Sequence, residues 1–71
     1  MALSPKDYDV LEGAVARGGR LAITRNGSQW IVVARQLVVE RGREALLARH
    51  PSTGEAMRFL VDDIERIEGI W

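Results

Sequence analysis

The feature that most constrains this chain is the change of hydrophobic period at Gly18-Gly19. Upstream, Tyr8, Leu11 and Val15 follow steps of three and four residues, with Val10 and Ala14 on the flank, which is the spacing of one helical face. Downstream, apolar residues alternate with polar ones or run in short blocks bounded by turn residues, which is the pattern of strands. The start of the helix is marked by Ser4 as a cap, Pro5 at the first helical position and Asp7 three residues after Ser4. Leu3 and Tyr8 are placed to form a hydrophobic staple. Asp7, Asp9 and Glu12 fall in the first turns and Arg17 in the last, each sign where the helix dipole favours it. Gly18-Gly19 supplies the left-handed stop, so a helix is expected over Pro5 to Arg17.

Five strands are expected after the stop. Arg20 to Arg25 alternates, with Leu21 and Ile23 on one side. Asn26-Gly27 is the strongest short hairpin signal, because both residues tolerate positive φ. A long second strand runs from Ser28 to Val39, with a bend or bulge at Arg35-Gln36. Its segment Trp30-Ile31-Val32-Val33-Ala34 is apolar on both faces, which predicts that it is buried on both sides or lies where the sheet folds over itself, with Trp30 in the core. The turn Arg41-Gly42-Arg43, a strand over Glu44 to His50, the turn cluster Pro51 to Gly54 and a strand over Glu55 to Val61 follow. Asp62-Asp63-Ile64 reads as one tight helical turn, and Glu65 to Trp71 as a last strand with Ile67 and either Ile70 or Trp71 inward. Trp71 either packs back on the fold or is exposed to a partner. A flat meander of this size would leave two raw edges and an uncovered face. The economical solution is a mainly β (α+β) fold over residues 1–71: one N-terminal helix followed by a small five-stranded Sm-like or SH3-like barrel.

Charge and composition restrict function. The 71 residues contain no cysteine, which removes disulfides and cysteine-based metal sites. No signal-like leader and no apolar run of membrane-spanning length are present, so a soluble cytoplasmic protein with no membrane partner is expected. Formal net charge is zero but uneven: residues 1–16 sum to −2, residues 17–50 to +5 and residues 51–71 to −3. If the ends meet, the fold has one acidic and one basic face. A neutral total disfavours a protein held to nucleic acid mainly by phosphate contacts. The single histidine, His50, lies beside Ser52 in a turn, which is poor geometry for a nucleophile and its base. Asp62, Asp63 and Glu65 lack the spaced loop of a cation site. The chain therefore reads as a binding module, not an enzyme, with no cofactor and no metal. Arg20, Arg25, Arg35, Arg41, Arg43 and Arg49 are candidates for an RNA-binding face.

The segment Asp7-Tyr8-Asp9, Leu11-Glu12, Ala14 resembles the opening of the Rho-binding antiterminator (Rof) family. The likeness continues through Asn26-Gly27, the Ala34 to Leu37 segment, the charged turn Arg41 to Arg43, Gly54-Glu55 and Val61-Asp62-Asp63-Ile64, covering nearly the whole chain. The resemblance implies an Sm-like barrel that binds the transcription terminator Rho at or near its RNA-binding site and inhibits termination. It assigns partner contact to Asp7, Tyr8, Asp9 and Glu12, the acids by charge complementarity and Tyr8 as an aromatic anchor shared with its staple role. A second likeness, in Trp30 to Val33 and Met57 to Ile64, is to WYL-like barrels. It implies binding of RNA or a small ligand through the arginines, with Arg41 and Arg43 as the residues to test. A third possibility is an interaction module that self-associates through exposed barrel edges.

Overall fold

The local signals at Ser4 materialise as a complete cap. In the structure, a computed structural model describing residues 3–70, α1 spans Pro5–Arg17. The Asp7 N–H donates to Ser4 Oγ at 3.2 Å, and the Ser4 N–H donates to Asp7 Oδ2 at 3.1 Å. Both halves of a capping box are thus present, satisfying N–H groups that the helix itself leaves orphaned. At the other end Gly18 adopts φ 65°, ψ 35°, and the Gly19 N–H closes on the Ala14 carbonyl at 2.8 Å. The buried centre of the apolar stripe is Leu11 and Ala14, while Tyr8, Val10 and Val15 pack half-buried beside it. The stripe is rotated slightly from the Tyr8–Leu11–Val15 line read in the sequence.

Five antiparallel strands follow: β1 (Arg20–Arg25), β2 (Ser28–Glu40), β3 (Arg43–Arg49), β4 (Ala56–Leu60) and β5 (Arg66–Gly69). A 3-10 turn, Val61–Asp63, joins β4 to β5. The strands form one sheet in the order β4-β3-β2-β1-β5. β2 shifts register between Ala34 and Gln36, so Arg35 is the extra residue of a bulge. The bulge bends β2 and lets the sheet curl around one core. Among the described residues the hydrogen-bonded ladder is not continuous around the fold: β4 and β5 are its two ends, linked through the 3-10 turn. Both two-residue hairpins carry a left-handed pair. Asn26 and Gly27 have φ 51° and 76°, and Arg41 and Gly42 have φ 53° and 77°.

The core lies between the concave side of the sheet and α1, which packs against β5, β2 and β1. Leu11, Leu21, Ile23, Val32, Leu46, Phe59, Val61 and Ile64 are essentially fully buried. Each such side chain contributes roughly 1.5–3 kcal/mol of transfer free energy before entropic costs. Ile67 is inward as expected, whereas Ile70 is exposed; Trp71 lies outside the described residues. Two other expectations fail in the same stretch of β2. Trp30 is 37 % exposed and Ile31 41 % exposed, so the segment is not buried on both sides. Trp30 does share the concave face with its neighbour Ile23. It sits beside the Asn26-Gly27 hairpin, at the end of β1 far from Gly19, where it stays partly open to solvent. Val61 belongs to the 3-10 turn rather than to β4, yet remains buried.

Candidate functional site

Each end of the fold is sealed differently. At the hairpin end, the Arg25 guanidinium lies 4.8 Å from the Phe59 ring centroid and 5.6 Å from that of Trp30. The two rings meet edge-on at 6.2 Å and 64°. Arg25 therefore lies over aromatic faces, where its charge and its planar group both find favourable contact. Glu65 holds this end from below: its carboxylate accepts the Gly27 N–H at 3.1 Å, and its own N–H donates to the Thr24 carbonyl at 2.8 Å. With Glu65 used this way, the Asp62–Asp63–Glu65 acids do not act as a unit. Among the described residues no group of three or more His, Cys, Asp or Glu is placed to hold a metal ion. His50 caps the Pro51 to Gly54 turn, its Nδ1 accepting the N–H groups of Ser52 at 3.1 Å and Thr53 at 3.3 Å.

The helix end is acidic. Asp9 and Glu12 are exposed, with no hydrogen bond or ion pair among the described residues. Asp7 is half-buried and one of its oxygens is occupied by the capping box. The half-buried Tyr8 ring packs against the core, and its hydroxyl donates to Glu44 Oε1 at 2.9 Å, tying α1 to the start of β3. Burial raises the Tyr8 pKa above its ordinary value, and the hydrogen bond to Glu44 and the charges of Glu44, Asp62 and Glu12 add to it. Those same causes show that carboxylates from α1, β3 and the 3-10 turn surround one tyrosine. The four residues singled out in the sequence are thus brought together, but in two roles. Asp9 and Glu12 present free charge; Tyr8 and Asp7 fasten and cap the helix.

Arginines gather on the convex side of β2–β4. The register sets the rows Gln36–Leu47–Arg58 and Val33–Arg49–Ala56 across three strands. The bulge puts Arg35 beside them, and a groove of about 360 Å³ is lined by Arg35, Arg49 and Arg58 with Leu47 and Met57. A second groove, about 390 Å³, is lined by Glu40, Arg41, Arg43, Arg58 and Leu60. Arg58 belongs to both. It pairs with Glu40, its Nε 2.7 Å from Oε1, in a half-exposed contact that contributes little stability. Arg49 donates to the Gly54 carbonyl at 3.0 Å. Arg25 is spent on the aromatic stack, and Arg58, absent from the arginines singled out in the sequence, is the residue that joins the two grooves.

No family model, no curated protein and no solved structure matches this chain.

The geometry alone therefore separates two surfaces: a helix with outward carboxylates, and a sheet face with arginines around an apolar floor. No described helix is long and apolar enough to cross a membrane.

Proposed function

We propose that this chain is a non-enzymatic protein-binding module that inhibits transcription termination by occupying the RNA-binding surface of Rho. The observation that carries the reading is the exposed acidic face of α1. Asp9 and Glu12 project from a helix whose opposite side is locked to the sheet by Leu11 and Ala14. Glu44 and Asp62 extend the negative field around Tyr8. A surface that binds RNA is basic, and a rigid array of carboxylates competes for it by charge complementarity. Rigidity matters because little ordering cost then falls on association. The capping box and the Tyr8–Glu44 bond supply it. Asp7 and Tyr8 take part by fixing the helix, and Asp7 adds charge at its first turn.

The test is direct binding to purified Rho with competition against a labelled single-stranded RNA. Saturable binding at low salt that weakens as salt rises, RNA displacement, and loss on Asp9→Lys with Glu12→Lys are expected. Absence of any binding at low salt sinks the reading.

A further inference from the structure

We propose that the convex face of β2–β4 is a second binding site, one for the phosphate backbone of a single-stranded nucleic acid. Four observations support it. First, the two grooves share Arg58 and so form one continuous strip. Arg43 and Arg49 mark the ends of β3, about 20 Å apart at the rise of a strand, and successive same-face rows are about 7 Å apart. Second, the strip carries Arg35, Arg41, Arg43, Arg49 and Arg58 against one lining acid, Glu40. Arg35, Arg41 and Arg43 have no hydrogen bond or ion pair among the described residues, so their guanidinium forks are open to phosphate. Third, Leu47 gives the first groove an apolar floor on which the face of an unpaired base can lie.

The fourth observation is independent of charge. Arg41 holds φ 53°, the position that Asn26 holds at φ 51° in the other hairpin. Asparagine visits this region readily; arginine does so at a cost. The hairpin thus carries a cation at the end of the strip in a conformation that arginine adopts at a cost, and strain of this kind clusters at ligand sites. The neutral total charge does not oppose the site, because the opposing acids lie on α1, around Tyr8 and along the last part of the chain.

The site is distinct from the acidic helix, and the test keeps them apart. Fluorescence anisotropy is followed with labelled single-stranded RNA, and with DNA of the same sequence, at low salt and across a salt series. The expected result is binding of at least one of the strands, with log affinity falling against log salt at a slope of about −2 to −3, the value for three to four neutralised phosphates. Arg35→Glu with Arg43→Glu is expected to weaken that binding at least tenfold with an unchanged circular dichroism spectrum. Arg49 and Arg58 are left intact because they have partners in the fold. Asp9→Lys with Glu12→Lys is expected to leave it undiminished. Should the double arginine variant disturb the fold, Arg35→Gln alone, expected to weaken binding about threefold, carries the test. No anisotropy change with either strand, or binding indifferent to the arginines, overturns the proposal. So does sedimentation showing instead that the strip binds the acidic helix of a second copy, with dimers lost on arginine reversal and no strand bound.

Discussion

α1 and the convex face of β3 differ in charge and in how firmly the fold holds them. On α1, Ser4 and Asp7 cap the first turn, Leu11 and Ala14 are fully buried, and the Tyr8 hydroxyl is bonded to Glu44. What remains exposed, Asp9 and Glu12, stands on a fixed support. On the sheet face the backbone is equally fixed, but Arg35, Arg41 and Arg43 extend from it without partners among the described residues. The difference separates two ways of presenting charge. The helix offers short carboxylates in a set geometry, suited to a folded protein surface. The arginines offer long, adjustable forks along a line, suited to a flexible polyanion.

The comparison can be broken at its packing. Leu11→Ala is expected to cost about 3 kcal/mol, because it leaves a cavity at the fully buried centre of the helix's apolar stripe. Thermal unfolding would show it as a drop of more than about 10 °C for a domain of this size. A loss under 1 kcal/mol would mean that α1 is docked by something other than its apolar stripe. Ser4→Ala removes the Oγ that accepts the Asp7 N–H, while the backbone N–H at position 4 can still donate to Asp7, and is expected to cost about 1 kcal/mol, read from urea midpoints.

Smaller effects sharpen the contrast. Arg41→Asn relieves the left-handed arginine and is expected to stabilise the fold by about 0.5–1 kcal/mol, raising the melting temperature a few degrees. The same change is expected to leave Rho binding alone. Tyr8→Phe is expected to cost about 0.5 kcal/mol at neutral pH, since its bond is half-exposed. Its pH dependence is more telling. The folded Tyr8 pKa lies above the ordinary 10.0, so the fold favours the neutral phenol. The stability this contributes is fully present below pH about 10 and is lost as pH rises through the folded pKa. In Tyr8→Phe that alkaline loss is absent, and parallel alkaline melting curves for the two proteins would contradict the assigned contact.

Much of the fold was legible in the sequence because its signals are local. Ser4-Pro5 and Gly18 mark the helix ends, Asn26-Gly27 closes the first hairpin, and Arg35-Gln36 breaks the apolar run where the bulge lies. The acidic helix was equally readable, since Asp9 and Glu12 lie on one element. The exposure of Trp30 departs from the strand pattern for a physical reason. Alternation gives the face a side chain occupies, which was right, but coverage depends on how far along the strand the opposing elements reach. The aromatic stack on Arg25 and the joining role of Arg58 were invisible for a related reason. Both come from pairing between strands, and no single segment contains the residues that meet. That Tyr8 packs on the apolar side of α1 was legible, whereas its bond to Glu44 depends on where β3 begins.

The central claim is that the free carboxylates of α1 engage Rho, and calorimetric titration of Rho with the intact protein and with the Asp9→Lys, Glu12→Lys variant tests it most directly. Saturable, salt-weakened binding by the intact protein, with at least a tenfold loss in the variant at unchanged melting temperature, is the expected result. Equal binding by both proteins, or heat of dilution alone from the intact one, would contradict it.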